Sequence, residues 1–168
     1  MLYTDFINGV LTGINKVNVT FAFGQRLVIN GKVIVASHRG IDMTPVGKVR
    51  NIQRGKVIEV RSNITPAQTP NIITLGMKAL YSGNLIRIQH GNGYVSIHEH
   101  LAYGSILVKV GDIVDKFQDI ATAGGTGYTT GAHEHFGLFL NGVAVDPLPY
   151  LQGKKQVAPY IEAEITER

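Results

Sequence analysis

The sequence predicts a mainly β fold, an antiparallel sheet or hybrid-barrel-like sandwich with a short N-terminal helix and a long inserted loop. Three observations predict it. Short runs rich in valine, isoleucine, leucine and aromatic residues recur along the chain, at lengths that suit strands rather than helices. The dipeptides Asn30-Gly31 and Asn141-Gly142 separate pairs of such runs, and Asn-Gly closes two-residue hairpins because both residues tolerate positive φ. Helical periodicity is clearest at the start, where Ile7, Val10, Leu11 and Ile14 recur between Thr4 and Lys16 with Thr4 or Asp5 as a cap.

From Val17 the grammar is that of strands. NVTFAF, RLVI and KVIVAS come first, followed by Gly55 to Val60, Leu85 to Gln89, Gly93 to Leu101, Ile106 to Val110, His133 to Leu140 and Val143 to Val145, divided by glycine, asparagine and aspartate turns. Arg61 to Tyr81, with Pro66 and Pro70, is too long and irregular for a hairpin turn. It reads as an inserted loop with a helical turn near Thr74 to Leu80. After Leu151 the composition becomes charged. Residues 1–22 thus read as helix and lead-in strand, 23–151 as one central domain, and 152–168 as a tail in which Val157, Tyr160 and Ile161 can dock.

A chain of 168 residues with 44% hydrophobic content can bury a core without covalent staples. With no cysteine, disulfides and thiolate metal sites are excluded, so any metal must be held by histidine and carboxylate. The first residues lack the basic start and apolar stretch of a secretory signal, and no run is long enough to insert into a membrane. A net charge of +4 suits an anionic partner such as nucleic acid or an acidic wall polymer, and equally plain solubility.

The histidines carry the chemistry. His98-Glu99-His100 and His133-Glu134-His135 repeat one triplet, and strand alternation would turn each pair of imidazoles to one face and its glutamate to the other. Neither triplet has the i, i+4 spacing of a helical zinc motif, and a zinc deaminase would need cysteines. What remains is a zinc site assembled across strands, one imidazole of a pair binding Zn²⁺ and the other addressing the water on it. SHRGID adds His38 and Asp42, with Gly40 between them allowing the chain to curl. Two histidines and one carboxylate leave a fourth position open, as catalytic zinc requires.

SHRGID, IQHGNGYVSIHEHL, VKVGDIVDKFQDIATAGGTGYTTGAHEHF and NGVAVDPLPYL, in that order, resemble the successive motifs of the lysostaphin-type zinc endopeptidases, which cleave bacterial peptidoglycan. The likeness runs from about Phe23 to Leu151. It implies that His38, Asp42 and His135 bind Zn²⁺, and that His133 is the catalytic histidine with His100 as its partner. The implied partner is bacterial peptidoglycan rather than nucleic acid, and the implied place of action is the cell wall; a phage-encoded lysin or tail module is one setting for such a chain. Three residues depart from the family pattern. His98 stands where an aromatic residue is common, Phe117 where glycine is usual, and Gly137 where an acidic residue often follows HxHF. The insertion from Arg61 to Tyr81 is also longer than usual.

Other readings account for less. His90 reads as a strand-end residue, His98 as a surface or core-edge residue, and Glu99 and Glu134 as groups solvated or paired on the far face. The glycines at 124, 125, 127 and 131 lack the lysine and helix of a phosphate loop and read as a sharp turn beside the site. Tyr94, Tyr103 and Tyr128 could each serve packing or an oxyanion. A binding module that has lost catalysis would be expected to lack a ligand. A biotinyl or lipoyl carrier would need its lysine at a hairpin tip, and a phosphocarrier would leave Asp42 without a role.

Overall fold

The structure, a computed structural model, describes residues 18–44, 47–129 and 131–162; the helix expected over Thr4 to Lys16 lies outside them. Twelve strands follow in chain order: β1 (Asn18–Phe21), β2 (Leu27–Ile29), β3 (Lys32–Val35), β4 (Ile41–Thr44), β5 (Lys48–Arg50), β6 (Gly55–Arg61), β7 (Asn84–Gln89), β8 (Tyr94–Leu101), β9 (Ile113–Val114), β10 (Asp119–Thr122), β11 (Glu134–Leu140) and β12 (Val143–Val145). Among the described residues, two short helices, α1 (Thr69–Thr74) and α2 (Leu148–Leu151), accompany these strands, with 3-10 turns at Pro66–Gln68 and Lys78–Leu80. The fold is mainly β and its strand pairs are antiparallel, as the sequence predicts.

The main sheet runs β1-β4-β11-β8-β7-β6-β9, with β12 beside β11; β5 with β10 and β2 with β3 form separate ribbons. Asn30 and Gly31 both take positive φ, as do Asn141 and Gly142, so each Asn-Gly pair closes its hairpin with the twist that adjoining strands need. One core packs Ile41 and Met43 of β4 and Phe136 and Leu138 of β11 against Tyr150, Leu151 and Val157. A second joins β5, β6, β7 and β10 through Val49, Val57, Ile86, Ile88 and Ile120. Val157, in the stretch expected as a tail, is therefore a core residue, whereas Ile161 is exposed.

Several expectations are corrected. Ile106 to Val110 forms no strand; Leu107 and Val110 stay exposed, while Ile106 and Val108 pack on the second core and the Leu107 N–H donates to the carbonyl of Ile120 without a continuous ladder forming. The pairing here falls to β9 and β10, too short to show a period in the sequence. Helical structure in the insertion begins earlier than expected, with α1 ending at Thr74. Pro66 and Pro70 stand at the starts of the 3-10 turn and α1, where proline's fixed φ favours helix initiation. Phe117, in the position where glycine is usual, has a φ of 65°, the left-handed conformation that glycine adopts freely.

Candidate metal centre

Two central strands present the centre. β4 pairs with β11 so that Asp42 stands directly opposite His135. Alternation sends Ile41 and Met43 into the core and Asp42 to the other face. His38 lies four residues earlier, before β4. Its ring stacks on Phe21, with centroids 4.2 Å apart, and its Nδ1–H donates to the carbonyl of Ala22 at 3.2 Å. That bond leaves Nε2 as the free nitrogen. Gly40 matters here for space rather than for an unusual φ. A Cβ there would run into the carbonyl oxygen of Phe136 and come within 2.9 Å of the His135 ring.

His38 Nε2, Asp42 Oδ1 and His135 Nδ1 converge. The first nitrogen is 3.2 Å from His135 Nδ1 and 3.4 Å from Asp42 Oδ1, and His135 Nδ1 is 2.8 Å from Asp42 Oδ1. Tetrahedral ligands held about 2.0–2.2 Å from Zn²⁺ stand roughly 3.3–3.5 Å from one another. One edge, 3.4 Å, lies within that range and a second, 3.2 Å, falls just short of it, while the third is contracted by a hydrogen bond from His135 to Asp42. Two imidazoles and a carboxylate are a borderline-soft donor set that suits Zn²⁺. Burial by itself would raise the Asp42 carboxyl, but the hydrogen bond from His135 and the close imidazoles of His38 and His133 hold it well below the usual carboxylate range. Burial lowers the His135 imidazole, yet its bond to Asp42 and the carboxylates of Glu99 and Glu134 outweigh this and raise it.

The other two predicted site residues flank this triangle. His133 Nε2 lies 3.5 Å from Asp42 Oδ1, while its Nδ1 is 2.9 Å from the carbonyl of Gly131 and 3.1 Å from Thr129 Oγ1. His100 Nδ1 donates to the carbonyl of Thr126 at 2.7 Å, and its ring sits 5.0 Å from that of His133 and 6.1 Å from that of His135. Burial lowers the His100 imidazole to about 4, with the carbonyl of Thr126 pulling the other way. All five residues therefore lie in one cluster, with the triangle of His38, Asp42 and His135 at its centre. The carbonyls of Thr126 and Gly131 orient two of the imidazoles, and no side-chain pattern could have pointed to them. The glycine-rich segment supplies both, pinned where Gly127 adopts a φ of 83° against Tyr81 and Gly83.

The triplets do not share one geometry. β11 places His135 opposite Glu99 and Phe136 opposite His98, so Glu99 shares the face of His135, contrary to strict alternation with His100. The reason is a β-bulge: between the pairs Asn84–Leu101 and Ile86–His98, two residues of β8 stand against one of β7. His100 takes a φ of 58° there, which swings it to the same face as Glu99. His98 is left on the opposite face. It is fully buried rather than at a surface or core edge, with Nδ1 3.3 Å from Glu134 Oε1 and its ring 5.0 Å from Phe136. Glu134 is thus paired on the far face, and Glu99 is not. His90 is structural, bonded to the carbonyl of Arg54 and to Ser96 Oγ.

Residues 36–147 match the model of peptidase family M23. Peptidoglycan DD-endopeptidase ShyA of Vibrio cholerae is 32% identical over 136 residues, covering 76% of this chain and 27% of that protein. The crystal structure of a zinc containing peptidase from Vibrio cholerae aligns with a TM-score of 0.61 and 32% identity over 84% of this chain and 37% of that one. The catalytic domain of lysostaphin from Staphylococcus simulans aligns with a TM-score of 0.58 and 29% identity, over 82% of this chain and 92% of the domain. The chain spans about a quarter of the length of the curated relatives it matches. With residues 36–147 inside the family model and its fold shared with both structures over four-fifths of its length, this chain belongs to peptidase family M23.

Proposed function

We propose that this chain is a zinc-dependent endopeptidase that hydrolyses peptide bonds in the cross-bridges or stem peptides of bacterial peptidoglycan. The observation that carries the reading is the triangle of His38 Nε2, Asp42 Oδ1 and His135 Nδ1, with the Nε2 atom of a fourth residue, His133, 3.5 Å from the carboxylate oxygen. Zn²⁺ bound by those three residues supplies a Lewis acid that acidifies water and polarises an amide carbonyl.

The remaining work belongs to the two flanking imidazoles. Each has its Nδ1 engaged by a backbone carbonyl, Gly131 for His133 and Thr126 for His100, so in the neutral ring Nε2 is the proton acceptor. His133 is the general base, and His100, kept neutral by burial, is its partner. The imidazole that accepts the proton becomes a donor at Nε2. It can then stabilise the oxyanion and pass the proton to the departing amine. With its positive charge the chain favours an anionic wall polymer as substrate.

The test is digestion of purified walls with assay of new amino groups, and identification of the new termini from walls of different cross-bridge chemistry. The parent should hold one zinc and lose activity to a chelator. His135→Ala should lose both metal and activity, and His133→Ala should keep zinc while turnover falls by about 10²–10⁴-fold. Activity that survives chelation, or a parent that holds no zinc, would overturn the reading.

A further inference from the structure

The carboxylate at Glu99 has no part in the triangle, yet it sits on the face of the sheet that carries it. The β8–β11 register sets Glu99 opposite His135, and Glu99 Oε2 is 3.6 Å from His135 Nε2. That is ion-pair reach, a few tenths of an ångström beyond a hydrogen bond. His135 turns its other nitrogen, Nδ1, toward His38 and Asp42. A metal bound at Nδ1 forces the single ring proton onto Nε2, the atom that Glu99 faces. β11 has no side chain of its own to meet that proton, because the next residue on the same face is Gly137, where a Cβ would lie 2.7 Å from Ile97 Cγ2. The neighbouring strand supplies it.

We infer that Glu99 is a positioning residue for the metal centre: its carboxylate accepts the Nε2–H of His135, which fixes the ring's tautomer and rotation and makes Nδ1 a stronger donor to the ion. This rests on the proposed zinc site and goes beyond it by naming a carboxylate that neither binds the ion nor touches substrate. The other carboxylate of the paired triplets, Glu134, is committed to His98 on the opposite face and cannot do the same.

The experiment measures zinc affinity by chelator competition on the full 168-residue chain, comparing Glu99→Leu, Glu99→Gln and the parent. Glu59→Gln is the control, a carboxylate at the same sheet paired with Arg87 three strands from β11. Glu99→Leu should weaken zinc binding by about 10–100-fold. Glu99→Gln, which keeps an acceptor oxygen, should recover most of that loss, and Glu59→Gln should bind as the parent does. In the zinc-loaded parent, NMR should show a His135 Nε2–H resonance protected from water exchange, and Glu99→Leu should lose that protection. A parent that binds zinc tightly while Glu99→Leu binds within about twofold of it, with equal metal-free melting temperatures, overturns this inference alone. A parent that binds no zinc overturns the proposed function and this inference with it.

Discussion

His90 illustrates at the scale of a residue how burial becomes a property of the protein. Its imidazole accommodates the carbonyl of Arg54 on one side and Ser96 Oγ on the other, and burial lowers it to about 4 against an ordinary 6.5, even though the Arg54 carbonyl pulls upward. Between those values the unfolded chain binds a proton that the folded chain refuses, so stability is full above about pH 6.5 and declines as pH falls toward about 4. The most this one group can account for is about 3 kcal/mol. We expect urea unfolding of the chelated protein, measured across that window, to lose stability more shallowly in His90→Asn than in the parent; identical slopes would show that His90 titrates normally. His100 acts in the same direction and His135, which is raised, in the opposite one, which is why the difference between variant and parent is the quantity to measure. His90 was legible as a strand-end residue because Gly91-Asn92-Gly93 follows it, but its burial came from long-range packing.

Among the elements, the junction of β4 with β11 sets the geometry of the centre. Alternation along β4 delivers Ile41 and Met43 to the core and Asp42 to the site, and the loop before it must pass close beneath β11. Gly40 permits that approach. Gly40→Ala should destabilise the fold by about 1–3 kcal/mol through overpacking and weaken zinc binding, since the new Cβ meets the His135 ring. Thermal unfolding with and without metal would measure both effects, and unchanged zinc affinity would show that the strand shifts without moving His135. HxxxD and HxH were visible as chemistry in the sequence because their spacing is local. The bulge in β8 was not, because it depends on how β7 and β8 pair. Alternation therefore assigned Glu99 to the wrong face and joined His98 to His100, whereas the positive φ of His100 separates them.

Across the whole molecule, the stretch after α2 is bonded to the segment that leads into β6 and to the turn that follows β7. Gly91 N–H donates to the carbonyl of Ala158, Tyr160 N–H to that of Arg54, and the Gln53 side-chain amide to that of Val157. Val157 is buried in the same core as Phe136, which neighbours His135 on β11. Truncation before Val157 should therefore lower the melting temperature, and Val157→Ala should cost about 1–3 kcal/mol. A variant that unfolds at the parent's temperature would show that this segment lies on the core without stabilising it.

The sequence by itself determined the fold class, the two Asn-Gly hairpins, the family resemblance and the residue types that can hold a divalent ion, since each is written in local spacing and side-chain chemistry. Only the tertiary structure decided which face each imidazole and carboxylate takes and which backbone carbonyls orient His100 and His133. The placement of Glu99 behind His135 belongs to the same class. These features depend on strand register and on contacts between residues far apart in the chain, and a single bulge suffices to reverse what alternation predicts.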